Sequence, residues 1–268
     1  MAKLPLRQRL RAEVAAHPPL WRFYRGLRSR LLYEYPEPGP IHRVLRELAG
    51  EGGEVRFVQV GSNDAVFGDP IMEFVLACGW RGVLVEPVPY VFERLRARQG
   101  RNPRLKFENA AIGQFEGARP FYCMEPLDQP LSRWYDQMGS FSREHIEKHE
   151  RFTPGLSQHI REIQVNCMSL SSLLRKHGIA ELDLLHVDAE GYDFEVLRSL
   201  DFGQCSPGLV LFESGHLPRA ERTACGEFLE ARGYRLLQEG VDCLGLHVSA
   251  RQRWSRTTVV FDAYSPEP

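Results

Sequence analysis

Acidic and amide side chains gather in this 268-residue chain wherever a short apolar run stops. Leu184-Leu185-His186-Val187 runs into Asp188, Glu190 and Asp193, with Gly191 between them, and apolar spacing resumes at Phe194, Val196 and Leu197. A buried strand that ends in an acidic turn and opens a helix has this pattern. Exposed N–H groups at a helix start stabilise acids, so Asp193 is assigned to the first helical turn. Glu190 either caps that helix or borders a site. Four other runs end in the same way, on Gly61-Ser62-Asn63-Asp64, on Glu86-Pro87, on Asn109-Ala110-Ala111, and on Glu213, Ser214 and His216. Open α/β sheets bind ligands outside the carboxyl ends of their strands, where such a row of polar groups would lie.

The first loop narrows the ligand. It has one glycine where a dinucleotide fingerprint needs G-x-G-x-x-G, and it lacks the GK[ST] of a phosphate-cradling loop. A loop with few glycines and its own acid suits a ligand that has no pyrophosphate but carries a cation. Glu86, at the next strand end, sits where an acid can accept both ribose hydroxyls. Together they point to S-adenosylmethionine. Methyl transfer to a hydroxyl needs the acceptor positioned against the methyl carbon and a base for its proton. His216 is the candidate base by its intrinsic pKa, with Asp188 or Glu213 orienting the hydroxyl.

A divalent metal held by Asp188, Glu190 and Glu213 is the minority alternative, because three acids can equally serve a sulfonium and a helix N-terminus. His145 and His149 stand four apart in HIEKH, a spacing that metal sites use. No third ligand is evident beside them, so they are assigned to a solvated or lid helix. His186 is read as a satisfied core histidine on the same side of its strand as Asp188. Ser140 caps a helix or reaches the cofactor carboxylate through that helix's N-terminus.

The elements around these residues alternate. IHRVLRELAG is helical, VRFVQV a strand, and IMEFVLACG a helix begun by Pro70 with Asp69 as N-cap. GVLVEP, PYVFERLRARQG and LKFENAAIG continue as strand, helix and strand. A parallel, doubly wound sheet follows from this order. The pattern weakens between Phe115 and Ile163, where FYCM reads as a strand and GSFSREHIEKH as a short helix capped by Ser140 or Ser142. IQVNCMSL and the Ser169-capped LSSLLRKHG restore it, and YRLLQEG with CLGLHVS reads as a closing hairpin. RTTVVFDAY is expected to add one more strand. The expected organisation is an N-terminal helical arm (1–50), a main domain (51–250) with a cap or lid inserted at 114–164, and an extension at 251–268.

Composition sets the class. The chain is 43% hydrophobic and 26% charged with a formal net charge of -1, which disfavours a nucleic-acid binder that works by neutralising phosphates. Six scattered cysteines without a CxxC pair suggest reduced, buried thiols and a cytoplasmic protein. No apolar run approaches the ~20 residues of a membrane span. The basic arm, with Arg22, Arg25, Arg28 and Arg30 among Trp21, Phe23 and Tyr24, either packs on the domain or touches anionic lipid. A homo-oligomer is compatible with all of this.

VQVGSNDAVFGD, GVLVEPVPYVFERL, FENAAIG, LDLLHVDAEGYDFEVL and LVLFESGHL, in this order, resemble the FkbM family of S-adenosylmethionine-dependent methyltransferases over roughly Val55 to Val248. The resemblance implies a class I methyltransferase fold, a Rossmann-like doubly wound sheet of seven strands with the last antiparallel. It implies O-methyl transfer, often to a sugar or a natural product, so the expected partner is a small-molecule or glycan acceptor. It places Gly61, Ser62 and Asn63 beneath the methionine moiety and Asp64 near its amino group. Glu86 would take the ribose, with Pro87 following, and Asn109, Ala110 and Ala111 would border the adenine. Asp188 would lie nearest the methyl group, and Glu190, Glu213 and His216 would face the acceptor. Ser62 and Ala65 stand where Ala and Gly are usual in the family. Two other functions compete with this reading, a different nucleotide-dependent enzyme on the same sheet and a non-catalytic interaction protein.

Overall fold

The computed structural model describes residues 39–65, 69–128, 130–132 and 135–265. Most of the basic arm therefore lies outside the described residues. α1 (Pro40–Gly50) enters with proline in its first turn and turns Ile41, Val44, Leu45 and Leu48 inward, one helical face at i, i+3, i+4, i+7. β1 (Arg56–Val60), α2 (Met72–Cys78), β2 (Arg81–Val85), α3 (Pro89–Gln99) and β3 (Leu105–Glu108) follow in the expected alternation. The helix start is corrected: α2 begins only at Met72, with Ile71 and not Asp69 as its N-cap, and the Asp69 Oδ1 instead closes the preceding turn by accepting the N–H groups of Ile71 and Met72 at 2.9 and 2.8 Å.

The run LKFENAAIG divides. Its first half is β3; its second is β4 (Ala111–Ile112), which belongs to another sheet. Asn109 makes the break, its Nδ2 donating to the backbone carbonyls of Glu86 at 2.8 Å and Pro87 at 3.0 Å. β5 (Gly117–Met124) and β7 (Ile160–Met168) pair antiparallel from Gly117 opposite Cys167 to Met124 opposite Ile160. Between them lie β6 (Gly139–Ser140) and α4 (Arg143–Glu147), capped by the Ser142 side chain, which accepts from the His145 N–H. The second sheet runs β4-β7-β5-β6.

The main sheet is completed by α5 (Leu170–His177), β8 (Leu184–Val187), α6 (Asp193–Arg198), β9 (Leu209–Glu213), α7 (Arg219–Glu230), β10 (Tyr234–Glu239) and β11 (Asp242–His247). Its seven strands run β10-β11-β9-β8-β1-β2-β3, with β11 antiparallel to both neighbours and β9, β8, β1, β2 and β3 parallel. Side chains alternate between two cores. Phe57, Leu184, Leu209 and Leu211 pack on the α1 side, and Val58, Leu185, Val187, Val210 and Phe212 on the other. All six cysteines are free; five are buried and Cys78 is exposed.

The tail departs from the sequence reading. RTTVVFDAY is not a strand but most of α9 (Ser255–Tyr264), which follows α8 (Ala250–Arg253). Its β-branched residues favour a strand locally, but Thr257 and Phe261, four apart, are fully buried and Phe261 joins the α1 core. Burial of one helical face outweighs a propensity difference of a few tenths of a kcal/mol per residue. Among the described residues no helix is long and apolar enough to cross a membrane.

Candidate functional site

β1 ends on a turn that only glycine can make. Gly61 has φ +77°, and a Cβ there would stand 1.7 Å from the Asp188 carbonyl oxygen at the end of β8. The N–H groups of Gly61 and Ser62 both donate to the Val85 carbonyl, while the Ser62 hydroxyl accepts from the Val85 N–H and donates to the Gln59 carbonyl. Three strand ends are thus locked together by backbone contacts. Asn63 and Ala65 also adopt left-handed backbone, at φ 44° and 54°. Such strain in non-glycine residues persists only where the surroundings impose it.

Glu86 is the acid at the centre of this cradle and is 5% exposed. Its Oε2 accepts the Asn63 N–H at 3.0 Å and its Oε1 the Val88 N–H at 2.9 Å. Burial nevertheless outweighs these bonds and pushes its carboxyl up to about 7. Each oxygen keeps a lone pair for a further donor. A cleft opens beside it, lined by Gly61, Ser62, Asn63, Pro87, Ala110 and Ala111 and by Asp188 and Glu190.

Some expected residues stand behind the cleft and do not line it. Asp64 pairs with Arg98, and Asn109 buttresses the strand ends. Ser140 is buried beneath the rim, its hydroxyl accepting the Ser142 N–H at 3.2 Å, while its neighbours Gly139 and Phe141 face the cleft. Glu213 and His216 pair with each other, His216 Nε2 lying 2.9 Å from Glu213 Oε1, and that bond pushes the imidazole up to about 9.

Other lining residues carried little signal in the sequence. Phe121, Phe141 and Tyr192 form a contiguous aromatic wall, with ring centroids 5.1 and 4.8 Å apart. Gln59 and His186 are register partners on β1 and β8, so they stand side by side on the cleft floor. Gln59 donates to Asp69 at 2.9 Å, and His186 Nδ1 is buried with no hydrogen-bond partner. Burial holds the His186 imidazole below its usual value. Its placement beside Asp188, two residues on along β8, was the available clue.

Asp193 does begin α6, but it is fully buried, accepting the Glu213 N–H at 3.3 Å. Burial and the nearby Glu213 and Glu190 push its carboxyl up to about 8. A carboxyl held protonated in the fold contributes stability at low pH that is lost as pH rises through the folded value. Wild-type protein is therefore expected to lose on the order of a few kcal/mol between pH 5 and pH 9. Asp193→Asn, which keeps the acceptor for Glu213, should flatten that slope and be the more stable protein at pH 9 but not at pH 5. Urea unfolding at both pH values measures this; parallel slopes for the two proteins would remove the assignment.

His145 and His149 do not face solvent alone. The fold brings them to Glu190 and His216, and the ligand-capable atoms of the four lie within 4.8 Å of one another. This corrects the reading that no third ligand stands beside the two histidines of the solvated or lid helix, because the missing partners come from the loops after β8 and β9. Asp188 and Glu213, which the minority metal alternative grouped with Glu190, are not members of this group.

The model of the methyltransferase FkbM domain matches residues 59–236, more than half of the chain. The chain belongs to the FkbM methyltransferase family. The matched span runs from the β1 strand end to β10 and so includes every strand end that lines the cleft. Together with the strand order it makes the fold that of a class I, Rossmann-like methyltransferase. Among solved structures, methyltransferase FkbM from Methylobacillus flagellatus KT is similar at 13% identity and TM-score 0.43, covering 72% of this FkbM chain and 44% of that one. This chain thus spans less than half the length of that protein. The N-terminal domain of human METTL16 in complex with SAH is similar at 10% identity and TM-score 0.40, over 79% of this chain and 72% of that one. Precorrin-6y C5,15-methyltransferase from Geobacter metallireducens GS-15 aligns at 10% identity and TM-score 0.38, over 80% and 92%. Sequence comparison with curated proteins finds no match.

Proposed function

We propose that this methyltransferase uses S-adenosylmethionine to methylate a hydroxyl of a small-molecule metabolite, sugar or glycoconjugate, with residues 51–250 as the catalytic unit and 114–164 as its cap. The observation that carries the reading is Glu86, a buried acid with a free lone pair on each oxygen, at the strand end beside the Gly61 turn. S-adenosylmethionine supplies an electrophilic methyl on a sulfonium. Glu86 accepts the two ribose hydroxyls, and the aromatic wall with Ala110 and Ile112 gives the adenine an apolar slot. Asp188 borders the cleft, and a cationic centre there favours its ionised form and is stabilised by it in turn.

The acceptor hydroxyl must lose a proton to a group that faces the cleft and is itself unprotonated near neutral pH. His186 meets both conditions; His216, held charged by Glu213 and set behind the rim, meets neither. The base role therefore moves from His216 to His186 in this proposal, with His216 and Glu213 shaping the rim that the acceptor enters.

Calorimetric titration with S-adenosylmethionine, S-adenosylhomocysteine and NAD tests the cofactor. Both adenosyl ligands are expected to bind and NAD not to bind. Glu86→Ala should weaken adenosyl binding roughly 10²-fold, the loss of two charge-assisted hydrogen bonds. Ribose hydroxyls donate to the ionised form, so wild-type affinity should rise as pH passes the folded value near 7. The expected gain is about tenfold from pH 6 to pH 8. Binding of neither adenosyl ligand would overturn the proposal and favour the non-catalytic reading.

A further inference from the structure

The fold assembles four metal-capable side chains from three separate segments. His145 and His149 come from α4 and the helical turn after it, Glu190 from the loop after β8, and His216 from the loop after β9. Glu190 Oε2 lies 3.8 Å from His145 Nε2 and 3.8 Å from His216 Nδ1. The ring centroids of the three histidines are 5.3, 5.8 and 5.9 Å apart. Donors held about 2.0–2.2 Å from a tetrahedral ion are roughly 3.3–3.6 Å from one another, so the two 3.8 Å pairs must close by a few tenths of an ångström and the widest pairs, which lie within 4.8 Å, by up to roughly 1.2–1.5 Å, a side-chain rotation rather than a backbone movement.

Three further observations distinguish this cluster from side chains that merely share a surface. His145 Nε2 and Glu190 Oε2 are both buried and have no hydrogen-bond partner, although buried polar atoms are normally paired. Glu213 Oε1 receives His216 Nε2 at 2.9 Å, which fixes a proton on that nitrogen and leaves Nδ1 directed at Glu190. A carboxylate behind a ligating histidine is the usual outer-shell arrangement of metal sites. The backbone is also shaped for the approach: Glu190 stands at φ 48°, and at Gly191 (φ +86°) a Cβ would lie 2.7 Å from His145 Cε1.

We propose that His145, His149, Glu190 and His216 bind a divalent transition metal of the zinc class. Three imidazoles and one carboxylate suit zinc, cobalt or nickel better than magnesium or calcium, which prefer oxygen ligands. The ion takes the place of any proton on His216 Nδ1. Of the four ligands only Glu190 lines the cleft, so the ion sits behind the rim. There it ties the inserted segment to the loops after β8 and β9 and holds Glu190 in place. This goes beyond the methyl-transfer reading and does not depend on it.

The test uses the full chain, stripped with a chelator and titrated with zinc chloride by calorimetry, and with cobalt chloride followed by visible absorption. Wild-type protein is expected to bind one equivalent of zinc at roughly micromolar or tighter affinity and to give the visible bands of a four-coordinate cobalt site. His145→Ala/His149→Ala should weaken zinc by more than the about 10- to 100-fold that outer-shell partners carry, and Glu213→Gln by that smaller amount. Hydrogen exchange across residues 143–151 should slow when zinc is added to the wild type and not change in the double variant. Wild-type affinity for zinc in the double variant, or no cobalt bands in the wild type, would overturn the proposal. Adenosyl-ligand binding measured on the same samples reports separately on the cofactor cleft, so failure of either reading is recognisable.

Discussion

Gly61→Ala is expected to abolish adenosyl-ligand binding and to destabilise the protein by on the order of 3 kcal/mol or more. The added methyl would lie 1.7 Å from the Asp188 carbonyl oxygen, on a residue whose φ of +77° already disfavours any side chain. Neither strand end can retreat, because the Gly61 and Ser62 N–H groups are bound to Val85 and the Asp188 N–H is bound to the Val60 carbonyl at 3.0 Å. Relief must come from parting β1 and β8 at the cleft floor, which also displaces Glu86 through its bond to the Asn63 N–H. For a chain of this size the loss corresponds to a melting temperature lower by roughly 6–12 °C. Thermal unfolding and calorimetric titration with S-adenosylhomocysteine check both effects. A variant with wild-type melting temperature and affinity would show that the turn does not hold the cradle.

Asp188→Asn is expected to leave the fold intact and to cut methyl transfer by about 10²- to 10⁴-fold. Burial pushes the Asp188 carboxyl well above its usual range, and Glu190, Asp193 and Glu213 push it further. Such a cluster of acids is costly when empty, and a cation in the cleft relieves the mutual repulsion. The wild type should accordingly favour the sulfonium of S-adenosylmethionine over the neutral S-adenosylhomocysteine, and the asparagine variant should lose that preference while still binding the thioether. Competition calorimetry reads the preference without an acceptor in hand, and release of S-adenosylhomocysteine reads turnover once an acceptor is found. An unchanged preference together with full turnover would remove Asp188 from the reacting centre.

Much of the sheet was legible because strand burial is written locally. Val58, Leu185, Val210 and their alternating neighbours are apolar whichever core they face, and each run stops at a polar turn. Gly61 and Glu86 were legible for a related reason, since a strand end followed by a tight turn or a single acid restricts what that position can do. Less could be read where the outcome depended on packing. Thr257 to Phe261 favour a strand until α1 offers an apolar face on which a helix can lie. Ser140 and Asp64 have the chemistry of ligand-binding residues, but the rim and Arg98 occupy them.

The amino-acid sequence by itself determined the family, the strand–helix alternation of the main sheet, and the row of polar groups at the strand ends, because these rest on periodicity and on motifs whose residues are neighbours in the chain. Tertiary structure decided which of those groups meet. It set His186 beside Gln59 on the cleft floor, turned Asp193 into the core, and drew His145 and His149 to Glu190 and His216. The last grouping spans 145 to 216 in sequence and depends on the stretch between β6 and β7 meeting the loops after β8 and β9. No local spacing encodes such a contact, because its distances follow from how the two sheets pack.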